Sequence, residues 1–285
     1  MRSRAPLIRR AKFCLDSERR PAQARLMFAA KTCAAVIPCF NEANTIAALV
    51  TAVRRRLPLV IVVDDGSTDG TSALAKDAGA LVVSHEHNRG KGAALQTGLS
   101  QALAQGFEWA VTLDGDAQHA PEDLSAFQDC AGQTGALLVV GNRMHNARAI
   151  PWLRRQVNRW MSGRLSRLAG RHLPDTQCGF RLVHLQTWSA LALKTDHFEV
   201  ESETLMAFLA AGYQVEFVPI QVIRSRRSSR IQPLADSVRW WQWWQELHRP
   251  SASRAHRESL PPWLTCWDSR RTFRSRQRIR ISRPP

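Results

Sequence analysis

"WAVTLDGDAQH", residues 109–119, decides how the chain is read. Trp109 to Leu113 is an apolar, strand-forming run. It ends in two carboxylates, Asp114 and Asp116, on either side of a glycine, with Gln118 and His119 close behind. Like charges that close repel, and one would stay protonated unless a cation sits with them. Carboxylate and amide oxygens are hard ligands, suited to Mg2+ or Mn2+ rather than Zn2+. In extended chain, residues two apart point the same way. A bound cation would turn Asp114 and Asp116 into ligands, and Gln118 can point the same way as Asp116. His119, like His85 and His87, reads as a turn or surface residue.

Working outward, similar apolar runs recur: "CAAVIP" (33–38), "LVIVVD" (59–64), "ALVVS" (80–84) and "ALLVVG" (136–141). None alternates apolar with polar, which is the pattern of strands buried on both faces. Helical patterns such as "RGKGAALQTGLSQALAQG" lie between them. Together they predict a doubly wound, mostly parallel α/β sheet flanked by helices. Ligands of such a sheet lie beyond the carboxyl ends of its strands. Pro38-Cys39-Phe40-Asn41-Glu42, Asp64-Asp65-Gly66-Ser67 and Asp114-Gly115-Asp116 all fall there. "DDGSTDG" can also serve as a helix N-cap. "AIPWLRRQVNRWMSGRLSRLAGR" (149–171) predicts a helix with a stripe of Leu153, Val157, Trp160, Met161, Leu165 and Leu168. That stripe suits either the core or a membrane surface. "HFEVESETLMAFLAAGYQVEFVPI" predicts a helix and then a strand ending at Pro219.

The chain has 285 residues, 44% of them apolar, and a net charge of +16. The charge is uneven: residues 1–30 carry eight Lys/Arg against two acids, and residues 224–285 carry fifteen against four. We expect a basic, disordered extension at 1–30, one catalytic domain at 31–240, and a disordered Trp- and Arg-rich tail at 241–285. The basic ends lack a nucleic-acid motif, so nucleic acid is not an expected partner and anionic lipid headgroups are. The cluster Trp240-Trp241-Gln242-Trp243-Trp244 suits a bilayer interface or burial in the protein. The six cysteines form no C-x-x-C pair, as for reduced thiols. No apolar run spans a bilayer. The expected location is the cytoplasm, peripheral at the cytoplasmic membrane face.

No P-loop is present, and "GKGAAL" (90–95) fails the dinucleotide-binding pattern at its last position. In contrast, "VIPCFNE" (36–42), "VVDDGSTDGT" (62–71), "NRGKGAALQTGL" (88–99), "DGDAQHAPED" (114–123), "VVGNRM" (139–144) and "DTQCGFRL" (175–182) occur in order. This set resembles the family 2 glycosyltransferases of the GT-A type, nearest the polyprenyl- and dolichyl-phosphate mannosyl- and glucosyltransferases. The likeness covers about residues 33–235. It implies that Pro38, Phe40 and Glu42 form the first nucleotide-binding turn, with Phe40 where tyrosine is common. It implies that Asp65 holds the nucleotide base, that Asp114, Asp116 and Gln118 form the metal and diphosphate site, and that Arg143 lies near the sugar or acceptor phosphate. Arg230 falls in a loop over the diphosphate, where lysine is frequent.

The implied reaction is inverting transfer from a nucleotide-diphospho-sugar of the UDP-glucose or GDP-mannose type. The divalent ion would neutralise charge on the departing diphosphate. A polyprenyl phosphate acceptor is already anionic and needs arginines rather than a base; Arg143, Arg154 and Arg181 are candidates. A hydroxyl acceptor on a glycan or glycolipid needs a base. Asp175 is the first candidate, with an arginine-orienting role as its alternative, and Glu199, Glu201 and Glu203 follow. A sugar-nucleotide nucleotidyltransferase would instead carry a basic, Gly-rich loop after the first strand, where this chain has "PCFNE".

Overall fold

The computed structural model describes residues 32–191, 193, 195, 199–223 and 233–248. Five of the expected runs are strands: β1 (Cys33–Cys39), β2 (Leu59–Asp64), β3 (Leu81–Ser84), β4 (Trp109–Thr112) and β5 (Leu138–Asn142). Between them run α1 (Ile46–Arg54), α2 (Thr71–Asp77), α3 (Lys91–Ala104) and α4 (Leu124–Thr134). Then follow α5 (Trp152–Ala169), β6 (Arg181–His184), α6 (Leu185–Ala190), α7 (Val200–Ala211), β7 (Val215–Pro219) and α8 (Pro233–His248).

The seven strands form one sheet in the order β3-β2-β1-β4-β6-β5-β7. β1 pairs in parallel with β2 and β4, β2 with β3, and β5 with β7. β6 is antiparallel to both its neighbours, β4 and β5. The mostly parallel α/β expectation holds, and β6 is an addition to it. Its four residues lie inside "GFRLVH", too short a run to stand out from loop.

β1, β2 and β4 are buried because they offer Val, Ile and Ala to both faces. α3 lies close on this layer because Gly98 has no side chain; a Cβ there would come within 2.4 Å of Val36 Cγ1. α7 is buried almost all round, which makes it the central helix of the second half.

Two expectations about the surface change. On α5 the buried face is Asn158, Met161, Ser162 and Leu165, whereas Leu153 and Trp160 of the predicted stripe are exposed. Polar Asn158 and Ser162 face inward because they serve a buried carboxylate, described below. The tail expected from residue 241 begins as helix. α8 crosses that boundary because Trp240, Trp243 and Trp244 are buried. Trp240 stacks on Trp244, meets Trp160 edge-on, and donates Nε1–H to Ser202 Oγ at 2.9 Å. Burial therefore explains three of the four tryptophans, and only Trp241 is substantially exposed. The expectations for residues 1–30 and 249–285 lie outside the described residues.

Candidate active site

Three loops at the carboxyl ends of β1, β2 and β4 are laced together. Asn41 N–H donates to Ser67 Oγ at 2.7 Å, Glu42 N–H to Thr71 Oγ1 at 2.8 Å, and Thr68 N–H to Asn41 Oδ1 at 2.7 Å. Asn41 takes a left-handed conformation (φ 55°), which asparagine tolerates better than most residues. The first loop reaches the third through Thr45, whose hydroxyl donates to Gly115 O at 2.8 Å. Gly115 is needed for space: a Cβ there would lie 2.8 Å from Cys39 Sγ and 3.3 Å from both Pro38 O and Glu42 Cγ. Pro38, Glu42, Asp114 and Asp116 thus share one corner, with Phe40 38% exposed on its rim.

The two acids of that corner have different surroundings. Asp114 Oδ1 is 2.6 Å from Lys91 Nζ, and Oδ2 is 3.1 Å from His119 Nε2. Burial works to raise its pKa, but the Lys91 ammonium outweighs it and holds the carboxyl well below the usual carboxylate range. Among the described residues, no Lys, Arg or His forms an ion pair with Asp116. Burial, reinforced by the charge of Asp114, pushes the Asp116 carboxyl up to about 6. The segment is not extended, as the spacing argument supposed. Ala117 is left-handed (φ 56°), and Gln118 N–H turns back to Asp116 Oδ1 at 3.1 Å. A two-residue alternation therefore does not set the direction of Gln118; a strained turn does.

Asp116 suits a hard divalent ion. Mg2+ and Mn2+ are commonly held by one or two carboxylates together with substrate phosphates, rather than by an all-protein cage. Among the described residues, no cluster of three or more His, Cys, Asp or Glu is placed to hold an ion.

Lys91 escaped the sequence reading, as did His119 in its buried role. Lys91 bridges Asp114 and Glu201, 2.6 Å from each. Its signal was present: a lysine at the first position of a helix opposes the macrodipole and needs anions beside it. His119 is buried, with its ring edge-on to Phe180. Burial lowers its pKa to about 4, so the ring is neutral at pH 7. Glu201 is also buried, in a helix that otherwise reads as core.

Asp65 lies at the end of β2 under the start of α3. Its Oδ1 accepts from His85 Nδ1 at 2.7 Å and Arg89 N–H at 2.9 Å, and its Oδ2 accepts from Gly90 N–H at 2.8 Å. His85 is thus an internal residue, unlike exposed His87. Its second nitrogen meets Thr97 Oγ1 at 3.0 Å.

Asp175 is completely buried. It accepts from Arg143 Nε at 2.8 Å, Arg143 Nη2 at 3.0 Å, Arg143 N–H at 3.0 Å, Asn158 Nδ2 at 2.8 Å and Gln177 N–H at 3.2 Å. Burial works against its ionisation, but Arg143 outweighs it and keeps the pKa lowered. This geometry holds a guanidinium in a fixed fork. Arg154 approaches from α5; besides burial, the charge of Arg143 lowers its pKa and that of Asp116 opposes the fall. Arg181 does not join them. Its Nε, Nη1 and Nη2 donate to the carbonyls of Cys178, Glu201 and Thr176, so it ties β6 to its neighbours. Among the other acids, Glu203 accepts from Thr195 N–H and Oγ1. Arg230 lies outside the described residues.

A family model, Glycosyl transferase family 2, matches residues 34–187. The chain belongs to that family. The polyprenol monophosphomannose synthase of Mycolicibacterium smegmatis is 34% identical to this glycosyltransferase, over 65% of this chain and 75% of that one. The UDP-N-acetylglucosamine–dolichyl-phosphate N-acetylglucosaminyltransferase of Methanococcus voltae is 28% identical, over 68% and 86%. Among solved structures, the glucosyl-3-phosphoglycerate synthase of Mycobacterium tuberculosis, in complex with Mn2+, UDP-glucose and phosphoglyceric acid, aligns with a TM-score of 0.61. It has 23% identity over 79% of this chain and 83% of that one. The fold is thus of the GT-A type.

Proposed function

We propose that this glycosyltransferase moves a sugar from a nucleotide-diphospho-sugar to a polyprenyl phosphate, with inversion and with Mg2+ or Mn2+. The observation that carries the reading is the cationic pair Arg143 and Arg154 beside the Asp114–Asp116 turn. One arginine is fixed by a buried carboxylate and the other arrives from a surface helix. An anionic acceptor fits that setting. Its oxygen is already a nucleophile, so the residues need only bind and orient it. The two relatives named for polyprenol and dolichyl phosphate support the same acceptor class.

Asp116 and Asp114 would hold the ion together with the donor's phosphates, with Gln118 as a further oxygen ligand. Bound there, the ion supplies charge neutralisation for the diphosphate. Pro38, Phe40, Glu42 and Asp65 would border the nucleotide. Asp175 serves as the support of Arg143 rather than as a base, because a fully buried carboxylate with five donors is poorly placed to take a proton from a substrate. If the acceptor is instead a hydroxyl, Glu201 is the next acid to test: it is buried too, but it shares Lys91 with Asp114, and among the described residues its Oε2 meets no hydrogen-bond donor.

The membrane reading rests on α5 and α8. Trp152, Leu153, Trp160 and Trp241 are exposed, and Arg164 lies over the rings of Trp160 and Trp241 at 4.9 and 5.2 Å. Among the described residues, no helix is long and apolar enough to cross a membrane. An amphipathic, arginine-bearing ridge suits an anionic surface at the cytoplasmic face.

The test is transfer of labelled sugar from UDP-glucose, UDP-N-acetylglucosamine and GDP-mannose, with Mn2+, into polyprenyl phosphate in anionic vesicles. We expect an organic-soluble product with one donor, and none in EDTA. Transfer only to a soluble hydroxyl acceptor would overturn the lipid reading and make Glu201→Gln the next variant to measure.

A further inference from the structure

Asp65 has four lone-pair sites for hydrogen bonds. His85 Nδ1 and Arg89 N–H fill the two on Oδ1, and Gly90 N–H fills one on Oδ2. One site on Oδ2 remains. The arrangement depends on His85. An ionised carboxylate can only accept, so the ring nitrogen facing Asp65 must carry the hydrogen. In the neutral ring, Nε2 is then the acceptor, and the Thr97 hydroxyl donates to it. Thr97 on α3, His85 after β3 and Asp65 after β2 form a chain across three elements. The side chains of His85 and Asp65 are 6% and 5% exposed. Gly66 is pressed onto the same loop: a Cβ there would lie 2.8 Å from His87 C and 2.9 Å from Asn88 N. The carboxylate therefore has little room to turn.

We infer that His85, braced by Thr97, is a positioning residue for donor recognition: it saturates one oxygen of Asp65 and leaves the other aimed to accept from a ring N–H of the donor's base. This rests on the reading of Asp65 as a base-binding residue. A base with a ring N–H at its pairing edge, uracil or guanine, gives that oxygen a partner. Cytosine and adenine present a lone pair there and are rejected. Without His85 the carboxylate keeps only its two backbone donors, at Arg89 and Gly90, and one site on Oδ1 is left open beside the one on Oδ2, so discrimination falls even though Asp65 remains.

The experiment is calorimetric titration of the full chain with UDP, GDP, CDP and ADP in Mn2+, without acceptor. The variants are His85→Ala, His85→Asn and Thr97→Val. Asparagine places an N–H donor where Nδ1 was. We expect UDP or GDP to bind tightest. His85→Ala should weaken that nucleotide about tenfold while changing CDP and ADP less than about twofold, so that the ratio collapses. His85→Asn should restore most of the ratio, and Thr97→Val should give an intermediate one. Two-bond 1H–15N spectra should show the His85 ring protonated on Nδ1 in the free enzyme. An equal loss for all four nucleotides, with a lowered melting temperature, would make His85 purely structural and overturn the inference, as would an Nε2-protonated ring. Binding of none of the four nucleotides by the wild type would overturn the donor reading itself. An unchanged ratio in His85→Ala, with normal wild-type binding, would overturn only the role of His85.

Discussion

The corners at Asp116 and Asp175 treat a carboxylate in opposite ways. Asp175 receives five hydrogen bonds, three of them from one arginine, and is fully buried. Asp116 accepts a single backbone N–H among the described contacts and sits beside a second acid. A carboxylate given every partner is holding the protein together. One left short of positive charge destabilises the protein at rest and is suited to a ligand the chain does not supply. The difference separates the two carboxylates more clearly than burial does, since both side chains are largely hidden from water.

Asp175→Ala gives the largest expected effect. It strands Arg143 and should cost about 3–5 kcal/mol of stability in urea unfolding. The Asp175 pKa is lowered in the fold, so its stabilisation is present above the ordinary carboxylate pKa and fades as pH falls. The gap between wild type and variant should therefore narrow on acidification. A gap that does not change with pH would remove the charge from the account.

Asp116→Asn should lower transfer at least about a hundredfold, or about 2.7 kcal/mol in the transition state. Stability should not fall with it. The Asp116 pKa is raised to about 6, so in metal-free protein its ionisation opposes folding as pH rises from about 4 to 7. The variant should match or exceed the wild type in melting temperature at pH 7 in EDTA. A lower melting temperature would break the contrast between the corners.

Asn158→Ala sharpens the comparison, because it removes one donor from Asp175 and leaves the ion pair. We expect a loss of about 1–2 kcal/mol, read by the same unfolding curves. A loss as large as that of Asp175→Ala would mean that Asn158, not Arg143, is the main support. The smallest effect belongs to the exposed face of α5. Arg159→Gln should change stability by less than about 0.5 kcal/mol and weaken sedimentation with anionic vesicles about fivefold, a loss that high salt should erase. Equal binding by variant and wild type would take Arg159 out of the membrane surface.

The corner at Asp116 was legible in the sequence because its cues are local. Strand, turn and acids are contiguous, and the loops at Pro38 and Asp65 repeat the pattern. The surroundings of Asp175 were not, because they are assembled from separate elements. Asn158 looks like a polar residue on a surface helix, and its inward direction is set by a carboxylate 17 residues away. The same holds for Trp240, whose partner Ser202 lies on another helix. His119 was misread as a surface residue because nothing in "DGDAQH" says that Phe180, the residue just before β6, covers its ring.

The antiparallel strand β6 also constrains the order in which the molecule can assemble. A chain emerging residue by residue can complete the β3-β2-β1-β4 ladder from its first 112 residues. β5, made next, has no neighbour in the sheet until Arg181–His184 arrive to pair with it and with β4. Through that interval β4 presents an open edge, and β5 is an unpaired apolar segment, the kind of species that associates with other chains. Four residues thus act as the keystone that joins the two halves of the sheet.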